Sequence, residues 1–340
     1  MPAGERERVA PTMRDVASEA GVSKALVSIV FRGAPGASPE NRDRVFAAAQ
    51  RLGYRTNRTA SLLALSRTRQ LGVVVDLHNS FHAEVADAVL VAADRAGYRM
   101  VLNPWTASHS EEQAITSAAE FRCEALLLVG SELAPETIAT LTAGTPTVSI
   151  GRFVDLPTVD TVRCSDEAGM EQVVDHLVGL GHARIVHVDG GSGPIAAARR
   201  SGYENGMRRH GLLDQVRVLA GGRTEDAGRR AAGQLLAEEE WPTAIAAFND
   251  HCALGVLDAC AAAGLEVPDQ VSVTGYDDTP LARLHAVDLT SVHQEAAELG
   301  RWAVAAALER LDDGRSWSRE SVLVPRVVVR GSSASPAAAT

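Results

Sequence analysis

Lys24 is the only lysine among the 33 basic residues of this 340-residue chain; all the others are arginine. It opens the run Lys24-Ala-Leu-Val-Ser-Ile-Val-Phe31, in which Leu26, Val27 and Val30 recur at helical spacing and form an inner face. Lys24, Ala25, Ser28 and Ile29 are then left pointing outward. A cation, a hydroxyl and two apolar groups on one face can meet phosphates and base edges in a DNA major groove. The competing use of Lys24 is as a solvated charge at a helix end, and the surrounding motif favours the DNA contact.

Other groupings that could do chemistry are incomplete. Asp189-Gly-Gly-Ser-Gly-Pro194 stands between a strand-like and a helical run, where backbone N–H groups can cradle an anion. It lacks the third glycine of a dinucleotide fingerprint, and proline occupies the last glycine position of a nucleophile elbow. The 10 histidines include no HExxH pair, and Cys123, Cys164, Cys252 and Cys260 show no metal spacing. Cys252 and Cys260 stand about 12 Å apart by helical rise, too far to bridge, so buried reduced thiols are expected. No catalytic residue, metal site or cofactor is predicted, and the chain is read as a non-enzyme.

The elements that position Lys24 are written in residues 12–63. Thr12 and Asp15 have capping-box spacing, and Val16, Ala17 and Ala20 give a first helix its apolar face. Gly21 supplies a left-handed turn, Val22 plugs the angle between helices, and Ser23 caps the second helix. A loop over 32–37 leads to a third helix capped by Ser38, with Pro39 in its first turn. Its expected buried stripe is Val45, Phe46, Ala49 and Leu52, flanked by Arg42 and Arg44, and Gly53 ends it. Residues 1–70 hold 12 basic and 6 acidic residues, whereas the remainder carries net −16 of the overall −10. A basic head on an acidic body is the asymmetry expected when only the head touches phosphate.

The rest reads as α/β. Apolar β-branched runs alternate with amphipathic helices: strands at Leu71–Asp76, Tyr98–Asn103, Ala125–Val129, Thr147–Ile150, Arg184–Asp189, Arg217–Ala220, Ala244–Ala247 and Ser272–Tyr276, helices at 83–96, 167–180, 196–210, 226–238 and 250–263. Runs such as Leu71-Gly-Val-Val-Val are apolar throughout, as in parallel strands covered on both faces. So long a stretch exceeds one comfortable core and predicts two doubly wound lobes. A last helix at Glu295–Leu311 and one strand at Ser321–Val329 are expected to return across them. The N-terminus has no apolar h-region, and no run suits a membrane span, so a cytoplasmic protein without membrane contact is predicted.

With these motifs assembled, the chain resembles the LacI/GalR family of bacterial transcription regulators along nearly its whole length. The head matches through Asp15-Val16-Ala17, Ala20-Gly21-Val22-Ser23, Val27-Ser28, Arg44-Val45, Leu52-Gly53-Tyr54 and Asn57. The body matches through Asn79-Ser-Phe-His, His176 to His182, Arg199 to Tyr203, Asn249-Asp250, Val267 to Asp278, Leu289 to Gln294 and Val329 to Ser332. The resemblance implies that Lys24, Ala25 and Ile29 read bases, while Ser23, Ser38, Asn41, Arg42 and Asn57 mostly position the head on phosphates. Thr12, Ser28, Arg58 and Ala60 complete the candidate DNA-contacting set. Residues 57–64 would form a hinge helix only on DNA, since so short a segment nucleates poorly alone, with Leu63 as a minor-groove wedge. Leu26, Ile29, Phe31-Arg32, Thr56 and Ser61 depart from the family pattern, so an operator guessed from relatives does not transfer.

The implied organisation is a disordered tail at 1–11, a helix-turn-helix head at 12–56, a hinge helix and linker at 57–70, a two-lobed periplasmic-binding-protein-like domain with parallel sheets at 71–331, and a disordered tail at 332–340. The implied effector set is Arg199, Asn249, Asp277 and Gln294, with Phe81 and His82 from the first loop. Such carboxylate, guanidinium and amide groups suit a polyhydroxylated ligand. Arg223 stands where relatives commonly carry a stacking aromatic, which shifts the expectation toward a phosphorylated or acidic sugar. The expected protein is a repressor that binds a palindromic double-stranded operator as a homodimer and responds to a sugar or sugar phosphate. An activator, or a co-repressor-dependent regulator with a non-sugar effector, is the alternative. A pure sugar-binding protein would lack the basic head, and a nicotinamide enzyme would carry the missing fingerprint.

Overall fold

The computed structural model describes residues 11–31, 35–54, 67–238, 241–315 and 317–336. The chain divides into two compact units, Met1–Thr68 and Arg69–Thr340. The candidate hinge positions Asn57, Arg58, Ala60 and Leu63, with Thr56 and Ser61, lie outside the described residues.

In the first unit, three helices form around a small core: α1 (Met13–Ala20), α2 (Lys24–Phe31) and α3 (Pro39–Leu52). Thr12 caps α1, and Asp15 Oδ2 accepts from the Thr12 N–H at 2.7 Å, closing the capping box. Gly21 takes φ 64°, the left-handed conformation that turns the chain sharply between α1 and α2. The Ser23 hydroxyl accepts from the Leu26 N–H, and Ser38 caps α3 ahead of Pro39. Val16, Ala20, Val27, Val30, Val45 and Ala48 are buried together. Phe46 departs from the expected stripe: it is 52% exposed and Ala48 takes its place. Positions 45, 48, 49 and 52 repeat at true helical spacing, so residue 46 falls to the side, where its ring meets Phe31 edge-on.

The second unit has two lobes. The first is a six-stranded parallel sheet in the order β11-β5-β4-β3-β1-β2. Its strands are β1 (Gln70–Asp76), β2 (Arg99–Trp105), β3 (Ala125–Val129), β4 (Thr147–Ile150), β5 (Val159–Cys164) and β11 (Glu320–Leu323). Its helices are α4 (Ser80–Arg95), α5 (Glu111–Glu120), α6 (Pro135–Leu141) and α11 (Ala296–Asp313). Leu71, Val73 and Val75 pack on Val85 and Val89 of α4 and on Leu299 and Ala303 of α11. Val74, between them in sequence, faces the opposite side with Ile115 and Ile138. Both faces of β1 are therefore covered, which explains its unbroken apolar run.

The second lobe holds β6 (Ile185–Val188), β7 (Arg217–Leu219), β8 (Ala244–Ala247) and β9 (Ser272–Thr274) in the parallel order β7-β6-β8-β9. Around it lie α7 (Asp166–Gly179), α8 (Pro194–Arg209), α9 (Glu225–Leu236) and α10 (Asp250–Ala262). A short antiparallel pair, β10 (Ser291–His293) with β12 (Arg326–Val328), completes it. The expected single strand at 321–329 is two strands in two lobes, broken at Pro325, whose missing N–H cannot continue a ladder. The chain thus crosses between lobes after β5, after β10 and after β11. The tail expected to be disordered from 332 is packed at its start. The buried Ser332 hydroxyl donates to the Val273 carbonyl, and the Ala334 carbonyl accepts from the Ser272 hydroxyl. Residues 337–340 lie outside the described part. Among the described residues no helix is long and apolar enough to cross a membrane, and no group of side chains could hold a metal ion.

Candidate functional site

The head presents the N-terminal half of α2. Ser23, Lys24 and Ala25 are exposed, whereas Ser28 and Ile29 are half-buried. Leu26, expected inside, is also only half-buried. Thr12 is committed to the capping box, Ser38 is an exposed cap, and half-buried Asn41 and Arg42 follow it in the first turn of α3. Arg42 Nε donates to the Ala37 carbonyl, and Arg44 Nη2 donates to the Ala20 carbonyl at 2.6 Å, tying α3 to the turn before α2.

The second site is a cleft between the lobes. Phe81, His82, Arg199, Arg223, Asn249, Asp277 and Gln294 all line it. Strand ends and helix starts deliver them: Phe81 and His82 open α4 after β1, Asn249 caps α10 after β8, and Asp277 follows β9. Ligands of open parallel sheets collect at such carboxyl ends of strands. The cleft encloses about 50 Å³ of open space, room for a few waters. Anything larger than a few waters needs more room than the cleft offers as it stands.

Arg199 is the centre of the site. Its Nε donates to Asp166 Oδ1 at 2.8 Å, Nη1 to the Phe248 carbonyl at 2.7 Å and Nη2 to Asp277 Oδ1 at 3.3 Å. Its guanidinium also lies over the rings of Tyr276 and Phe248, 3.7 and 4.6 Å from their centroids. Two buried carboxylates thus share one buried cation. Burial pushes the Asp277 carboxyl up to about 7; Arg199 opposes this, and Asp250 and Asp166 add to it. Burial likewise raises Asp166 despite the Arg199 charge. Gln294 Nε2 donates to Asp277 Oδ1 at 2.6 Å. Asp277 adopts φ 107°, a conformation unusual for a side-chain-bearing residue. It is held by its N–H to the Val292 carbonyl and by Asp278, which Arg330 and His293 grip.

His82 is neutral. Burial, then Arg223, then Arg199 lower its pKa to about 3, and its Nδ1 accepts from the Asp76 N–H at 3.2 Å. The proton consequently sits on Nε2. Asn249 spends its oxygen on the Cys252 N–H and its amide on the Arg223 carbonyl. Arg223, from the second lobe, does not stand free for an anion: Glu132, which follows β3 in the first lobe, takes it with both carboxylate oxygens. The expectation of an acidic ligand took Arg223 as a free cation, whereas it is paired. A second bridge between lobes runs from the Ser80 hydroxyl to His251 Nε2 at 2.9 Å and from His251 Nδ1 to Glu225 at 2.6 Å.

Glu132, Asp166, Phe248 and Tyr276 were missed by the sequence reading. Phe248 adjoins Asn249 and was within reach; Glu132 meets Arg223 across 91 positions and leaves no local signal.

Residues 12–57 match the family described as bacterial regulatory proteins, lacI family, and residues 174–333 match the periplasmic binding protein-like domain. The HTH-type transcriptional regulator reg1 of Streptomyces lividans is 32% identical over 95% of this chain and 96% of its own length. The chain belongs to the lacI family. It is a helix-turn-helix transcriptional regulator, not an enzyme. Among solved structures, the lac repressor dimer bound to operator and the anti-inducer ONPF is 26% identical, covers 96% of this chain and 100% of its own, and superposes with a TM-score of 0.82. The regulator CelR in complex with cellobiose is 27% identical over 95% of this chain and 99% of its own, with a TM-score of 0.69. LacI-family membership agrees with both halves of the fold, the helical head and the two parallel-sheeted lobes.

Proposed function

We propose that the chain is a cytoplasmic repressor that binds a near-palindromic operator as a homodimer and releases it when a sugar or sugar derivative occupies the interlobe cleft. The observation that carries this reading is the buried Asp277 carboxylate, faced by the donors of Arg199 and Gln294, in a cleft on the same chain as a helix-turn-helix head. An ionised carboxylate accepts two hydroxyl hydrogens from a vicinal diol, and each charge-assisted bond in such a place is worth roughly 1.5–3 kcal/mol. Losing one ligand hydroxyl strands its partner, which makes the site selective. A lac repressor structure with operator and a CelR structure with cellobiose, similar to this chain, support the same assignment.

On DNA, Lys24, Ala25 and Ile29 would meet base edges. Ala25 and Ile29 offer only apolar contact, for instance to a thymine methyl. Ser28 would lie beside them, and Ser23, Ser38, Asn41, Arg42 and Thr12 would face phosphates. Asn57, Arg58, Ala60 and the Leu63 wedge belong to the hinge. Exposed Leu90 and Val91 on α4, with Leu281 and Leu284, supply apolar surface for a symmetric partner.

The test is a gel shift at moderate salt with palindromic sites taken from beside the chain's own gene, with and without sugars that raise its melting temperature. Preference for one such site, weakened by a stabilising sugar, is the expected result. Equal binding to every duplex counts against sequence-specific regulation, and a sugar that tightens DNA binding reverses the direction of the switch.

A further inference from the structure

We propose that the cleft selects an uncharged polyol over its phosphorylated or carboxylated counterpart, and that Glu132 sets this selection by occupying Arg223. The inference rests on reading the cleft as the effector site and names the class of that effector.

Arg199 and Arg223 are the guanidinium groups that line the cleft among the described residues. Both already face carboxylates. Arg199 is buried between Asp166 and Asp277, so it is outweighed by carboxylates where it stands. Arg223 is held bidentately by Glu132, the geometry in which guanidinium and carboxylate fit best. The Glu132 backbone is tied down, its N–H donating to Glu111 Oε2 at 3.1 Å. His82, the remaining group able to become cationic, is kept neutral by burial and by the two arginines. A phosphate in this cleft would face carboxylates at two places and find no uncommitted cation. It would have to break the Glu132–Arg223 fork and then sit beside the displaced carboxylate. A neutral polyol must part the same fork to enter, but the fork can close again behind it, and its hydroxyl groups donate to Asp277 and accept from His82 Nε2. An aromatic at position 223 would select by stacking on a sugar face; the Glu132–Arg223 pair selects by charge and closes the cleft from both lobes.

The experiment compares the full-length wild type, E132Q, R223Q and E132Q/R223Q by thermal unfolding during titration with inorganic phosphate. Chloride at matched ionic strength is the reference. Phosphate bound at the basic head shifts all four proteins alike and cancels in the comparison. The expected result is a wild type that responds no more than E132Q/R223Q, and an E132Q whose apparent phosphate affinity is at least about tenfold tighter. That gain should vanish in the double variant. A wild-type phosphate response that R223Q removes overturns the proposal, and so does an E132Q that responds no better than the double variant. A parallel arm uses glucose with glucose 6-phosphate and ribose with ribose 5-phosphate. A phosphate ester that stabilises the wild type more than its parent sugar also overturns it. None of the substitutions touches the head, so failure to bind any duplex refutes the regulatory reading separately from these results.

Discussion

Replacing Asp277 with asparagine is expected to stabilise the unliganded protein while abolishing its response to effector. Asp277 is 4% exposed, and burial raises its carboxyl to about 7. In an unfolded chain the same group titrates near about 3.9. Between those values the native state holds a proton that the unfolded state lacks, so stability falls as pH rises, by about 1.4 kcal/mol per pH unit. The associated stability is whole below about pH 4 and is lost once pH passes about 7, a total of about 4 kcal/mol. Asparagine retains an oxygen for Arg199 and Gln294 but does not ionise, so the variant escapes this loss. The gap between variant and wild type should widen by about 3 kcal/mol from about pH 5 to about pH 8, or on the order of 10 °C in melting temperature. All four tryptophans, Trp105, Trp241, Trp302 and Trp317, belong to the second unit, so fluorescence reports its unfolding without the head. Parallel pH profiles for the two proteins would refute the idea that the cleft stores a strained carboxylate. The comparison of slopes also cancels whatever pH-independent cost the amide introduces.

Further outcomes follow from the same geometry. A diol that donates to Asp277 favours its ionised form, so affinity for a neutral sugar should rise as pH increases to about 7 and level off above it, as calorimetry in buffers of different ionisation heat can check. Gly130→Ala should cost about 1–3 kcal/mol in chemical denaturation, because Gly130 has φ +59° and a Cβ there would lie 2.4 Å from His82 Nε2. Thr12→Ala removes the cap of α1 and should lower the stability of the head by about 1 kcal/mol, measured on its own unfolding transition. Lys24→Ala should weaken operator binding; if Lys24 contacts a phosphate, the salt dependence falls by about one ion, and if it contacts a base, discrimination at one base pair relaxes by about 1–3 kcal/mol.

Local signals made the head legible. Thr12 with Asp15, Gly21, Ser23, Ser38 with Pro39, and Gly53 each satisfy backbone groups within a few residues of themselves, and each stands where the sequence indicates. Phe46 misled because a large apolar ring outweighed strict periodicity, although Val45, Ala48, Ala49 and Leu52 carried the correct spacing. Most parallel strands announced themselves by apolar runs covered on both faces. β5 was not anticipated because Asp160, Thr161 and Arg163 interrupt its apolar pattern. Asp160 is nonetheless buried there, where Arg310 and Arg315 neutralise it from far along the chain. The cleft was half legible. Positional resemblance placed seven residues on one cleft, yet residue type alone said nothing of how they pair. Arg199 reads as a ligand-binding fork until Asp166 is seen beside it, and Arg223 reads as an anion site until Glu132 arrives from the other lobe. Pairing of that kind depends on tertiary approach, which a single sequence does not encode locally.

Three chain crossings join the lobes, and polar contacts link them to the cleft. Gln294 lies at the second crossing, between β10 and α11, and its amide reaches Asp277 in the cleft. Its backbone carbonyl accepts from the Cys164 thiol at the first crossing, at 2.8 Å. Arg163, next to Cys164, pairs with Glu320 of β11, the strand that leads into the third crossing. A bonded path therefore runs from Asp277 through the second crossing to the first, and the Ser165 N–H donates to the Leu323 carbonyl where the third crossing begins. On the reading proposed above, a ligand hydroxyl that competes with Gln294 for Asp277 would act directly on two of these connecting segments. The clasps at the cleft mouth, Glu132–Arg223 and Ser80–His251–Glu225, oppose opening from the other side. Each is a polar contact partly open to solvent, worth about 1 kcal/mol or less, whereas the Arg199 cluster is buried and worth several times that when broken. Asp166, Arg199 and Asp277 all belong to the second lobe, so that cluster holds together one wall of the cleft, while across the mouth the two clasps oppose parting.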